Sequence, residues 1–220
     1  MSPVELSTVS FDQSLLSVSQ NSLRSWSCGI LFSAAAAAAA GPQDFFGGNN
    51  HEDYLSWFND NGLSYETSTF LPQLSDDMQG MSLHWNVDET HLTLAVAVRA
   101  TGWVAFGLSE NGGMAGADVF FYQVASEKLT DGHILDDKIM PFEDCQQDWE
   151  LVSSMHDEDS EFLIVEVRRL LDTKDPQDRV IIEDGTLELP PSLVIGAWGD
   201  GEMSFHGEKR ARSAIRWYNH

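Results

Sequence analysis

Basic residues are scarce in this chain. Twelve Lys and Arg stand against 35 Asp and Glu in 220 residues, a formal net charge of −23. Phosphate backbones are held by clustered Lys and Arg, so this balance excludes nucleic acid as the expected partner. It suits a chain kept soluble by self-repulsion, and it favours cations as bound ions. Cysteine is scarcer still, with Cys28 and Cys145 alone. Two thiols make neither a disulfide framework nor a zinc pattern, and Cys-x-x-Cys-His, the covalent haem attachment motif, is absent. The seven His contain no His-x-His and no paired cluster. The longest apolar run, Cys28 to Ala40, is about 13 residues. A helix needs about 20 to span a bilayer, so no membrane span is expected. No internal repeat is visible, and no long helical periodicity follows residue 80.

What is present reads as a leader and one domain. In "RSWSCGILFSAAAAAAAGPQ" a basic Arg24 precedes the apolar run, and Ala-x-Ala choices lie just before Gly41. That pattern predicts a signal or targeting leader over residues 1–40 and a secreted or extracytoplasmic chain. The 23 residues before it are Ser-rich and carry Glu5 and Asp12, unlike an ordinary signal-peptide start. With the leader removed, Cys145 is a single thiol. Residues 41–79 read as an irregular segment, with turn chemistry in "GPQDFFGGNN" and a helical turn in "HEDYLSWFND".

From residue 80 to 220 the pattern is β. "HLTLAVAVRA" alternates, with Leu92, Leu94, Val96 and Val98 on one face. "GWVAFGLS", "ADVFFYQVA", a hairpin through "HDEDS", "SLVIGAWGD" and "SAIRWYN" supply further short strands. About eight to ten antiparallel strands in a β-sandwich are expected.

Several ordered motifs carry a family resemblance. "LHWNVDETHLTLAVAVRATGWVAFGLSENGGMAGADVFFYQV", then "LTDGHI", "QQDWELV", "VIGAWG" and "FHGEKRARSAIRW" resemble the DOMON domain. The likeness is to the module at the amino-terminal end of dopamine β-monooxygenase-like proteins. The resemblance implies an immunoglobulin-like sandwich, usually extracytoplasmic, that binds haem or sugar or serves as an accessory module. Relatives with catalytic domains read Cys-Asp-Pro where this chain has Lys174-Asp175-Pro176. No copper-binding His pattern is present, so a stand-alone, non-catalytic module is expected, with a redox or monooxygenase protein as partner.

The resemblance also implies sites. Haem-binding members of the broader family take one axial ligand from a Met in the glycine-rich loop and one from a late His. Met114 matches the first, and His206 in "SFHGEKR" is the candidate for the second. Together they would hold a non-covalent b-type haem for electron transfer. The competing reading makes Met114 a cap over the sandwich and His206 a turn residue. In the monooxygenase-type modules a small structural cation, Ca²⁺ or Na⁺, sits among carboxylates and carbonyls. The matching positions are Asp118, the Val119 and Gly132 carbonyls, and Asp148. Asp118 serves equally as a cap bonding backbone N–H groups.

Other features carry less. Trp85, Trp103, Trp149, Trp198 and Trp217 would form a sugar platform only if exposed, and their strand positions favour the core. His84 reads as a packed histidine and His133 as a turn residue. Cys145 lies in the acidic stretch "FEDCQQD", which disfavours its thiolate. "NGGMAGAD" has no Lys and no following helix, so it is no phosphate cradle.

Overall fold

The computed structural model describes residues 57–135, 140–181 and 191–218. The predicted leader and the start of the 41–79 segment lie outside them. Eleven antiparallel strands make up nearly all of what is described. These are β1 (Thr67–Gln73), β2 (Asp76–Val87), β3 (His91–Arg99), β4 (Trp103–Ser109), β5 (Asp118–Gln123) and β6 (Lys128–His133). They continue with β7 (Phe142–Glu143), β8 (Glu150–Asp157), β9 (Phe162–Leu170), β10 (Ser192–Gly199) and β11 (Arg210–Ile215). They form one sheet, ordered β7-β6-β5-β4-β10-β11-β1-β2-β3-β9-β8.

The sheet curls over on itself, and its two halves share one core. Leu83, Leu94, Val96 and Val165 from one half meet Val104, Phe106, Phe120 and Val194 from the other. Period-two alternation decides which side chains these are. In β3 the expected face of Leu92, Leu94, Val96 and Val98 is fully buried.

Two features exceed the sequence expectation. There are eleven strands rather than eight to ten. The segment expected to be irregular to residue 79 contains β1 and the start of β2. β1 runs along β2 from Thr67 opposite Trp85 to Pro72 opposite Gly80, and the register shifts between Pro72 and Gln73. Proline supplies no ladder N–H, and a bulge there is its ordinary accommodation. The turn and breaker residues of "LPQLSDDMQG" hid a strand that ends on them.

Each half also has an outer face. On the β2-β3-β9 half, Ala95, Ala97, Phe162 and Ile164 are covered by Trp57, Phe58, Leu63 and Tyr65 from the chain before β1. Residues 57–60 form the helical turn that presents Phe58. The Phe58 ring lies 4.3 Å from that of His84, which is 1 % exposed and bonds Ser82 Oγ. The outer face of the β5-β4-β10-β11 half has no such cover among the described residues.

Candidate functional site

The uncovered face forms an apolar cleft of about 570 Å³, within the range typical of small-molecule sites, roughly 300–1,000 Å³. Its floor is built of small or aliphatic residues: Ala105, Gly107, Val119, Ile195 and Ala197. β4 pairs with β10 and with β5 so that Gly107 lies opposite both Ile195 and Val119. A Cβ on Gly107 would come within 2.4 Å of Val119 Cγ1, so glycine there lets the strands approach and deepens the floor. Met140, Met203 and Phe205 stand along the walls. Phe205 is 79 % exposed.

Met114 and His206, 92 positions apart in the chain, line this same cleft. The loop carrying Met114 is braced from several sides. Gly112 and Gly116 have φ of 77° and 68°, the left-handed region that disfavours side chains. Gly113 N–H donates to Asn111 Oδ1 at 2.8 Å, and Ser109 Oγ donates to Gly113 O at 2.6 Å. Gly116 N–H reaches Ile134 O, and Ala117 N–H reaches Met114 O. The glycines thus serve the two reversals of the loop, and the Met side chain packs against Ala117, Val119 and Ile134.

His206 is half-buried and follows the exposed Phe205, with ring centroids 5.1 Å apart. Its Nδ1 lies 2.9 Å from Gly207 O. A carbonyl only accepts, so Nδ1 carries the hydrogen and Nε2 keeps a free lone pair. The Gly207 carbonyl thereby fixes the orientation of the ring and leaves Nε2 as the nitrogen able to act as a ligand.

The carboxylate cluster lies at the end of the sandwich below this loop. Asp118, Asp131 and Asp178 each place a ligand atom within 4.8 Å of the others, and Asp148, Asp175 and Asp178 form a second such trio. Asp118 is buried and its Oδ2 accepts from Arg169 Nη1 at 2.8 Å and from Arg179 N–H at 2.7 Å. Arg169 is 1 % exposed and lies 4.7 Å over the Trp149 ring. Asp131 Oδ2 accepts from the Asp148 N–H at 2.8 Å. The Oδ1 atoms of Asp118 and Asp131 are buried with no partner. Burial pushes Asp131 up to about 7, the neighbouring Asp178 and Asp118 charges adding to the rise against the Asp148 N–H. Burial likewise lifts Asp178 to about 6, reinforced by Asp118. Three carboxyls crowd around one guanidinium, so their ionised forms are short of positive charge.

Of the four positions proposed for a cation, Val119 and Gly132 are direct partners across β5 and β6, next to Asp118 and Asp131. Asp148 touches the cluster through its backbone N–H and belongs to the second trio. Asp131 and Asp178 were missed by sequence reasoning. Asp131 is one residue from Gly132, and β-alternation puts its side chain on the Asp118 face. Asp178 arrives on the loop after β9, and nothing in "TKDPQDRV" marks it out from other acids.

The remaining candidates resolve simply. Trp85, Trp103, Trp149, Trp198 and Trp217 are 2–6 % exposed, so none presents a face for sugar stacking. His133 bonds Asp144 through Nδ1, and burial raises the Asp144 carboxyl while that histidine opposes the rise. Cys145 is exposed and unpaired with any described cysteine. Gln147 Oε1 accepts from Asp131 N–H, and Gln147 Nε2 donates to Asp131 O.

Comparison with known proteins places this fold. Residues 76–190, just over half of the chain, match the DOMON domain family. DBH-like monooxygenase protein 1 of Gallus gallus is 32 % identical over 146 residues, covering 66 % of this chain and 23 % of that protein. MOXD1 homolog 2 of Drosophila melanogaster is 29 % identical over 119 residues, covering 53 % of this chain and 15 % of that protein. The chain thus spans less than a quarter of the length of these relatives. A weaker structural likeness, TM-score 0.45 at 11 % identity, is to the cytochrome domain of Myriococcum thermophilum cellobiose dehydrogenase, covering 69 % of this chain and 82 % of that one. At that level it says nothing about what this chain binds. No helix among the described residues is long and apolar enough to cross a membrane. A sandwich of this topology, matched over most of its strands by one family, makes the chain a member of the DOMON domain family.

Proposed function

We propose that this chain is an extracytoplasmic ligand-binding module whose uncovered cleft takes b-type haem, with Met114 and His206 as the iron ligands. The observation that carries the reading is the meeting of these two side chains on one apolar cleft, with His206 Nε2 left free by the Nδ1 hydrogen bond. The Met114 thioether and the His206 imidazole would hold the iron, and a haem held by that pair would supply electron transfer rather than substrate activation. The protein's own share is to exclude water with the aliphatic floor, to hold Met114 on a braced loop and to fix the imidazole tautomer. A redox or monooxygenase protein is the proposed partner, and the names of the relatives support that setting.

Purified protein reconstituted with haem tests the reading. A Soret band with sharp reduced α and β bands is expected, altered in Met114→Ala and in His206→Ala. A chain that stays colourless in excess haem would sink it.

The orphaned Oδ1 atoms of Asp118 and Asp131 support a second, separate reading, a structural Ca²⁺ or Na⁺ in the carboxylate cluster. Hard cations take such oxygen donors, and one here would relieve the crowding around Arg169. Calcium should raise the melting temperature of the wild type and leave Asp131→Asn unmoved. Melting indifferent to both calcium and chelator would end that reading.

A further inference from the structure

The charges around the cleft say more about the ligand than its apolar floor does. Among the described Lys and Arg, most have an acid at hand: Lys128 with Glu143, Arg168 with Asp88 and Arg169 with Asp118. Lys174 meets Asp172, Arg179 meets Glu110 and Lys209 meets Asp200. Arg99 and Arg216 also have interactions of their own. In so acidic a chain this is the expected state of a cation. Arg210 and Arg212 are the exceptions among the described residues, and both line the cleft.

Their placement follows from β11. Alternation turns Ala211 and Ile215 into the core and leaves Arg210 and Arg212 on the outer face, opposite Ala197 and Ile195 of the cleft floor. Two residues along a strand are roughly 6.6 Å apart. The two side chains therefore stand on one face beside an apolar surface, and neither has an ion pair with a described carboxylate. Arginine presents a planar fork of donors that matches a carboxylate in two parallel hydrogen bonds.

We infer that Arg210 and Arg212 form a carboxylate subsite on the β11 side of the cleft, so that the ligand is a largely apolar molecule bearing one or two acid groups. This rests on the reading of the cleft as a ligand site, and it specifies the chemistry of that ligand. Haem with its two propionates is one source of this chemistry, and a long-chain fatty acid is another.

The test compares acids with their uncharged counterparts. The full chain and the double variant Arg210→Gln/Arg212→Gln are titrated with haem and with haem dimethyl ester, followed by absorbance. Both arginine side chains are exposed, so the double variant should keep the fold, which thermal melting checks. The subsite predicts that the double variant weakens haem by about tenfold or more, the size of a lost charge-assisted hydrogen bond, and leaves the dimethyl ester unchanged. Haem affinity in the wild type should also fall with added salt, more steeply than in the variant. Palmitate against hexadecanol, followed by calorimetry, forms the second arm. If haem binds wild type and variant equally, the subsite is overturned while the haem reading stands. If haem fails to bind but palmitate binds in an arginine-dependent way, the haem reading falls and the subsite stands. Binding of none of the acids overturns both.

Discussion

The two outer faces of this sandwich are built from the same materials and finished differently. One carries Ala95, Ala97, Phe162 and Ile164, and the chain itself lays Trp57, Phe58 and Tyr65 over it. The other carries Ala105, Gly107, Ile195 and Ala197, and the described chain leaves it as a cleft. Small residues under an aromatic cover are part of the core. The same kind of residues, left without a cover by the described chain, walled by methionines and with Arg210 and Arg212 alongside, form an open cleft. Residue type does not separate the faces; what lies above them does.

The sharpest test of the contrast removes one aromatic from each face. Phe58 is 2 % exposed and Phe205 79 %. Phe58→Ala should cost about 3–5 kcal/mol, the range for a buried aromatic truncated to alanine. Phe205→Ala should stay within about 0.5 kcal/mol. Urea unfolding measures both, and equal losses would erase the distinction between the faces.

Next in size is the effect of a ligand. At a hundredfold excess over its dissociation constant, haem should add about 2.7 kcal/mol of stability. Ala197→Leu, which fills the cleft floor, should abolish that gain without changing the unliganded melting point. Persistence of the gain in Ala197→Leu would place the ligand elsewhere.

The same leucine introduced on the covered face should behave differently. Ala97 is fully buried, so Ala97→Leu should cost about 1–3 kcal/mol through overpacking. A well-tolerated Ala97→Leu would mean that the 57–65 segment lifts easily.

The smallest effect is on pH. Under the cover, the Tyr65 hydroxyl donates to Glu166 Oε1 at 2.8 Å and is held above the ordinary phenol range, mainly by burial, so it keeps its proton through the acid and neutral range. The two carboxyls raised furthest towards neutral pH lie at the other half of the molecule. Asp131 and Asp178, at about 7 and about 6 in the folded state, keep protons that an unfolded carboxyl releases near pH 4. The folded state therefore binds more protons between those values, and stability falls as pH rises from about 4 to about 7. In chelator the melting temperature should drop by a few degrees, roughly, across that window, and Asp131→Asn should flatten the profile. A melting temperature that climbs over the same window would contradict the raised values.

Much of the sandwich was legible because alternation is a local signal. The Leu92 to Val98 face could be read from ten residues. The cleft could not, because its floor is drawn from β4, β5 and β10 and its candidate iron ligands from two loops 92 positions apart. Met114 and His206 came from the resemblance, and the fold brings both to one wall-lined space. The resemblance also led to Asp118 and to the strands around it, but not to its partner. Arg169 is 51 positions away on a strand of the other half-sheet, and only the curl of the sheet brings the two charges together. The cover over Ala95 and Ala97 was equally invisible, since alternation marks a face as small and apolar without saying what lies on it.

The double hydrogen bond between Gln147 and Asp131 has a consequence for how the molecule ends. Among the described residues the curled sheet keeps two margins, β7 and β8. At one, β7 is only Phe142–Glu143, and beyond it the Gln147 carboxamide takes both the N–H and the C=O of Asp131, as a neighbouring strand would. At the other, β8 breaks register between Leu151 and Ser153, which interrupts a regular template. A strand arriving side-on would meet a short margin capped at Asp131 by a side chain on one side, and on the other a strand whose start is out of step, which leaves Ser153–Asp157 as its regular stretch.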